Sequence, residues 1–408
     1  MDDRAIEATG GADHRRGSAG EVFAAFLKLG LTSFGGPIAH LGYFRDELVV
    51  RRRWIDEKGY ADLVALCQFL PGPASSQAGF ALGLLRGGPL GAAAAWAAFT
   101  LPSAILLVLF AFGAASFGGP IASGIIHGLK VVAVAIVAQA VWGMARNLCP
   151  DRERASIALA AVLIVVIVSG GIGQLAAIVA GGLAGLWLCR TKGEAISGHV
   201  SFPVSHATGW MALVLLFCLL FGLPVAVAAT SSQGLAVFDS FYRAGSLVFG
   251  GGHVVLPLLQ VEVVQPRWVT ADQFLAGYGA AQAVPGPLFT FAAYLGTVLG
   301  PEPNGLLGAI IALVAVFLPG FLLLIGTIPF WDSFRARPTA QALMRGANAA
   351  VVGVLGAALY QPVWTSAIIG PHEFALALTC FVLLMAWKCP PWIVVVVAAI
   401  GGVLIGLA

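Results

Sequence analysis

Charge is scarce in this chain. Asp, Glu, Lys and Arg make up 10% of its 408 residues, against 59% hydrophobic residues and a mean hydropathy of +0.92. So little charge cannot solvate a globule of this length, which excludes the ordinary water-soluble classes and makes the bilayer the expected solvent. The net charge is only +3, and the basic residues lie in short connections between apolar stretches, which excludes nucleic acid as a partner. The six cysteines, Cys67, Cys149, Cys189, Cys218, Cys380 and Cys389, form no close pair and no metal-ligand spacing. That excludes a disulfide scaffold and leaves them as small packing residues. HExxH, GxSxG and paired acidic metal motifs are all missing. An intramembrane enzyme is therefore disfavoured, and no catalytic residue, metal or cofactor is expected. The first 20 residues carry Arg4, Arg15 and Arg16 without an apolar core, so no cleavable signal peptide is expected.

What the chain does have, it has twice. Phe26-x-Lys28-x-Gly30-x3-Phe34-Gly35-Gly36 returns as Phe241-x-Arg243-x-Gly245-x3-Phe249-Gly250-Gly251, and Gln68-x2-Pro71-Gly72-Pro73 returns as Gln282-x2-Pro285-Gly286-Pro287, about 215 residues later. Glu47 matches Glu262, Arg53-Trp54 matches Arg267-Trp268, Gly91 matches Gly308, Leu101-Pro102 matches Leu318-Pro319 and Gly128 matches Gly346. Nine apolar stretches read as membrane spans: 90 to 113, 121 to 145, 155 to 169, 172 to 189, 209 to 230, 304 to 329, 338 to 360, 373 to 387 and 391 to 408. Four more, at 21 to 44, 61 to 84, 236 to 264 and 271 to 298, are broken in the middle by the repeated Gly/Pro motifs. Each half thus holds six hydrophobic segments, and the single leftover segment, 209 to 230, inverts the second half relative to the first. The expected domains are a polar cytoplasmic tail at 1–20, a first repeat at 21–192, a loop and central connecting helix at 193–230, and a second repeat at 231–408.

Basic residues set the orientation. With the amino terminus inside, Arg86, the Arg146 to Arg154 run, Arg190, Lys192, Arg335, Arg337 and Lys388 all fall inside, while the connections at 114–120, 169–172, 300–304 and 361–372 contain no Lys or Arg. The cluster Arg45, Arg51, Arg52, Arg53 and Lys58 falls inside only if the broken segments enter and return on one side. Four re-entrant hairpins plus nine spans are therefore preferred to thirteen spans. The carboxyl terminus is then outside.

Broken backbone at membrane depth leaves amides and carbonyls unpaired unless protein or a wet cavity satisfies them. Breaks ending in proline suit the start of a new half-helix, whose free amides and positive dipole end favour an anion. Four such starts are expected: at Gly35-Gly36-Pro37, at Pro71-Gly72-Pro73 with Ser75 and Ser76 in the first turn, at Gly250-Gly251-Gly252, and at Pro285-Gly286-Pro287 with Thr290. Lys28 and Arg243, six residues before the Phe34 and Phe249 that open the Gly-Gly breaks, are cations at membrane depth that call for a partner anion, unless they snorkel to the interface. Ser33, Gln68 and Gln282 are further candidate ligands, the glutamines alternatively capping the breaks. His40, Glu47, His253 and Glu262 are the candidate coupling groups, since each can change charge. Lys130 is a further cation of the pathway, a snorkelling residue or a buried hydrogen-bonding group, and Trp54 and Trp268 are expected to anchor at the interface.

The set Lys28, Thr32 to Pro37, His40, Arg51 to Trp54 and Gln68 to Pro73 resembles the chromate ion transporter family, and Phe249 to His253 with Pro285 to Pro287 looks like that family's second repeat. The resemblance covers about 21 to 408, the long two-domain form. It implies an all-α polytopic protein of the bacterial inner membrane that exports chromate under the proton motive force and confers chromate resistance. Sulfate or another tetrahedral oxyanion remains the alternative cargo, and a homo-oligomer is left open. The second half departs from the motif, with Gly252 in place of Pro37 and no match to His40, which points to an asymmetric site.

Overall fold

The computed structural model describes residues 17–116, 119–168, 170–190, 202–249, 251–331, 333 and 337–407. Arg4, Arg15, Arg16, Lys192, Gly250, Arg335 and most of the amino-terminal tail lie outside the described residues. The described residues contain helices and no strand: α1 (Ala19–Thr32), α2 (Gly36–Phe44), α3 (Glu57–Phe69), α4 (Ala74–Ser116), α5 (Pro120–Leu148), α6 (Arg152–Ile167), α7 (Gly171–Leu188), α8 (His206–Thr230), α9 (Gln233–Ser246), α10 (Val255–Leu259), α11 (Ala271–Ala281), α12 (Phe291–Val298), α13 (Gly305–Thr327), α14 (Pro338–Ala358), α15 (Pro371–Met385) and α16 (Pro391–Leu407). Six of them, α4, α5, α7, α8, α13 and α14, are long and apolar enough to cross a membrane alone. The shorter α6, α15 and α16 run beside α7, α14 and α5.

The broken segments are hairpins. In the first half, Trp54 Nε1 donates to Glu21 Oε1 (3.2 Å), Arg86 pairs with the same carboxylate (3.1 Å), and the Gly17 amide donates to the Arg86 carbonyl (2.9 Å). The start of α1, the end of the first return arm and the Gly87-Gly88 break in α4 therefore share one side. An arm of 13 or 14 residues reaches roughly 20 Å, past the middle of a hydrocarbon core roughly 30 Å thick. In the second half, the Gly300 amide donates to the Trp268 carbonyl (2.8 Å) and Gly234 lies against Pro303, so that half's hairpin bases coincide too. Arg53 and Arg267 occupy the same left-handed conformation, with φ of 53° and 63°, at equivalent base turns. Trp54 is buried at such a base, its ring covered by the Arg52 and Arg86 guanidinium groups. It closes a hairpin, where the sequence suggested an interfacial anchor.

Five crossings, the second part of α4 and then α5 to α8, separate the two pairs of bases, so the second half is inverted. The halves also exchange helices. α6 and α7 of the first repeat pack on α14 of the second, and α15 and α16 of the second pack on α5 of the first. A Cβ on Gly128 would lie 2.1 Å from the Ala398 carbonyl oxygen, and one on the equivalent Gly346 would lie 2.1 Å from the Gly181 carbonyl oxygen. Backbones approach this closely only without side chains between them, as in other small-residue membrane interfaces.

Candidate functional site: the junction of the hairpin tips

Each tip is latched to a tip of the other half. The Gly72 amide donates to the Val248 carbonyl (2.7 Å), and the Gly286 amide donates to the Ser33 carbonyl (2.8 Å). These bonds join repeat-equivalent positions, so the break in one half satisfies the carbonyl that the break in the other half frees. Gly72 and Gly286 have φ of +128° and +99°, a conformation open to glycine and costly for residues with a Cβ. Gly252 meets Pro37 across the junction, and a Cβ on Gly36 or Gly251 would meet nothing within 4 Å. Four tips thus converge around open space beside Gly36 and Gly251.

The buried polar groups at this junction belong mostly to the first half. Ser33, His40, Ser75, Ser76, Gln77, Thr100 and Ser103 are all buried. His40 Nδ1 lies 3.3 Å from Ser75 Oγ, its ring stands edge-on to Phe99 (5.4 Å between centroids), and Ser103 Oγ donates to the Thr100 carbonyl (3.1 Å). Gln77 Nε2 donates to the carbonyls of Pro71 (3.1 Å) and Gly320 (2.9 Å). Ser33 Oγ, His40 Nε2, Ser76 Oγ, Thr100 Oγ1 and Gln282 Nε2 have no hydrogen-bond partner. Buried polar atoms are ordinarily paired, so a cluster of unpaired ones at a junction of broken helices marks a place for a polar ligand. The repeat equivalents of Ser33, His40, Ser75, Gln77, Thr100 and Ser103 are Val248, Val255, Phe289, Phe291, Phe317 and Gly320.

Beneath the tips the two halves again share a plan. A π-helical turn, Arg45–Arg51 in one half and Gln260–Val264 in the other, carries the repeated carboxylates Glu47 and Glu262. π turns recur at functional sites because the extra residue rotates the following side chains. Lys28 Nζ pairs with Glu47 (2.7 Å), which also holds Arg51 (2.9 Å) and Arg52 (2.8 Å). Arg243 pairs with Asp239 (2.6 Å) and Glu262 (3.4 Å). The anions that the sequence argument demanded for Lys28 and Arg243 are therefore supplied by the protein. Three cations face one carboxylate in the first half; one cation faces two carboxylates in the second.

Other expectations are revised. The first half's two starts, at Gly36 and Ala74, open directly as α-helix, but the second half's open as 3-10 turns, Gly252–Val254 and Leu288–Thr290, so four equivalent half-helix ends are not present. Gln68 is exposed, and the capping expected of it is done by Gln77. Thr290 Oγ1 is satisfied by the Pro287 carbonyl (2.8 Å), and His253 Nδ1 lies 2.7 Å from Tyr278 Oη. Lys130 is buried and donates to the exposed Asp272 (2.8 Å), which is the buried hydrogen-bonding alternative. Gln77, Thr100, Ser103 and Asp239 escaped the sequence reading because none has a polar repeat partner. Aligning the halves and marking polar residues opposite apolar ones would have found all four.

Comparison with known proteins agrees with this architecture. The family model described as chromate transporter matches residues 20–186 and again 235–403. A chromate transport protein of Pseudomonas aeruginosa is 30% identical over 93% of this chain and 90% of its own length. One from Cupriavidus metallidurans is 29% identical over 92% of this chain and 90% of its own, and a probable chromate transport protein of Synechococcus elongatus is 28% identical over 93% of each. No solved structure matches the chain. With both repeats covered by the family model, the chain is a multi-pass membrane protein belonging to the chromate transporter family.

Proposed function

We propose that this protein exports chromate across the inner membrane, driven by the proton motive force, and so confers chromate resistance. The observation that carries the reading is the set of unpartnered groups at the tip junction, Ser33, His40, Ser76, Thr100 and Gln282, beside open space at Gly36 and Gly251. A tetrahedral oxyanion needs several donors converging without a bulky neighbour, and hydroxyls with first-turn amides supply them. In this reading the small residues at Gly35, Gly36, Gly72, Gly251 and Gly286, with Ser75 and Thr290, line the passage. Lys28 and Arg243 stand in the mouths on either side, while Gln68 sits nearer the entry.

The amino terminus is placed in the cytoplasm and the carboxyl terminus in the periplasm by the basic connections, with the first repeat at 21–192, the connector at 193–230 and the second repeat at 231–408. The donors at the junction are uncharged hydroxyl and amide groups that fit sulfate as well as chromate, so transport of sulfate or a related oxyanion is the second reading. Uptake of radiolabelled chromate into everted vesicles under an imposed pH gradient tests the first. Gradient-dependent uptake that excess sulfate does not suppress supports chromate export. Full suppression by sulfate would favour the second reading, and no chromate uptake would remove the first.

A further inference from the structure

The equivalent charge clusters beneath the tips of the two halves carry net charge of opposite sign. Lys28, Arg51 and Arg52 around Glu47 leave an excess of two positive charges in one mouth. Asp239 and Glu262 around Arg243 leave an excess of one negative charge in the other. Asp239 has no counterpart in the first half, where Ala24 stands at the equivalent position. The Asp239 side chain is 7% exposed and that of Glu262 18%. Two such carboxylates sharing one guanidinium inside a membrane protein reach neutrality by taking up one proton.

A cavity of about 320 Å³ reaches two members of this triad, Arg243 and Glu262; the rest of its lining is glycine, aliphatic residues and Gln174. Gln174 Nε2 is turned away, donating to the Pro257 carbonyl (3.0 Å), and Ser240 adds a hydrogen bond to Glu262. Tyr242, the other titratable group on α9, points to α8 and donates to the Leu216 carbonyl (3.0 Å). Among the described residues, Arg243, Asp239 and Glu262 are the charged groups that face one another here, and the cavity gives water a route to Glu262 and Arg243, with Asp239 one ion pair further in.

We infer that Asp239 and Glu262, held by Arg243, form the proton-loading site of the transporter, on the face of the membrane opposite the mouth that attracts the anion. A proton from water on the cavity side adds to a carboxylate oxygen of either residue, and the triad becomes neutral. The positive mouth gathers the dianion on the other side. With the two sites on opposite faces, anion and proton run in opposite directions. The inference rests on the proton-coupled transport proposed above and assigns its coupling to these two carboxylates.

The test uses the full-length protein in liposomes, with Asp239→Asn, Glu262→Gln and the double variant beside the wild type. Chromate exchange at equal pH and chromate accumulation driven by a pH gradient are measured on the same preparations, with an internal pH dye reporting proton movement. Both single variants are expected to keep exchange within about twofold of wild type and to lose gradient-driven accumulation and chromate-evoked proton flux by more than about tenfold, since an amide cannot carry the proton. Either well-folded variant following the gradient as wild type does would overturn the assignment, as would equal loss of exchange and accumulation in both. A wild type that exchanges chromate but ignores the gradient would instead remove the coupled-transport reading itself.

Discussion

The two halves of this molecule share a backbone and differ in what they place on it. Hairpins, π turns, left-handed arginines and latching glycines recur at matched positions, because these solve a problem both halves have: how to break a helix in a membrane and still pair its amides. The chemistry at the tips does not recur. Where the first half buries Ser33, His40, Ser75, Gln77 and Thr100, the second buries Val248, Val255, Phe289, Phe291 and Phe317. Duplication has preserved the scaffold, while the buried polar groups at the junction lie mostly in the first half. A single anion lying between two inverted halves needs only one set of donors, and the apolar wall opposite excludes water from them.

The largest effects should come from breaking what the halves share. Gly128→Val and Gly346→Val each drive a side chain into a backbone carbonyl of the other repeat. Neither can relax by a rotamer change, so each should cost more than about 3 kcal/mol and abolish membrane-inserted, monodisperse protein in detergent chromatography. Gly72→Val and Gly286→Val should do nearly as much to transport while leaving more folded protein, because each strains only one tip.

Next come changes that make the halves alike. His40→Val and Gln77→Leu install residues of the second half's kind. Gln77→Leu leaves the Pro71 and Gly320 carbonyls without their amide donor, costing about 1 to 3 kcal/mol in thermal unfolding. His40→Val should leave thermal stability nearly unchanged and reduce chromate transport about tenfold, the worth of one strong donor at about 1.4 kcal/mol. Glu47→Gln removes the single carboxylate that holds Lys28, Arg51 and Arg52. Lys28 and Arg51 keep about half or more of their side chains exposed, so the expected loss is only about 1 to 2 kcal/mol.

The smallest effect is expected at a helix start far from the junction. Asp151 caps α6, accepting from the Arg154 amide (2.9 Å) and from Arg154 Nε (2.7 Å), whereas the equivalent α15 starts at Gly370 without a side-chain cap. Asp151→Ala should cost about 1 kcal/mol, and Asp151→Gly, which copies the second half, only a few tenths. The Arg154 side chain and amide hold the Asp151 carboxyl below its ordinary value of 3.8. Its contribution is therefore full above that value and fades as pH falls below it, which thermal melts from pH 5 to 3 on wild type and Asp151→Ala would reveal as converging curves.

Sequence pattern carried the scaffold far. The six long apolar helices, the breaks in the repeated segments and the inversion were readable because duplication, apolar length and basic connections each constrain the chain independently, and the latches at Gly72 and Gly286 fall where the repeated Gly/Pro motifs pointed. The site was only half legible, for a physical reason. Repetition flags residues that both halves need, so Lys28, Arg243, Glu47 and Glu262 stood out, yet the structure joins them to each other in ion pairs. Polar groups that appear in only one half are not flagged in this way, and Gln77, Thr100 and Ser103 at the junction, like Asp239 beside Arg243, look like stray polar residues in apolar runs until the fold places them. The expected equivalence of the four helix starts failed: the starts at Gly36 and Ala74 open as regular α-helix, while those at Gly252 and Leu288 tighten into 3-10 turns.

The central claim is that one half holds the anion. Chromate titration of purified protein, followed by calorimetry, should show affinity reduced about tenfold in each of His40→Val and Ser76→Val, the loss of one donor to a dianion. The matched Val255→Ala and Thr290→Val variants of the second half should bind as wild type does. Equal losses from both halves, or no loss from the first, would contradict the account.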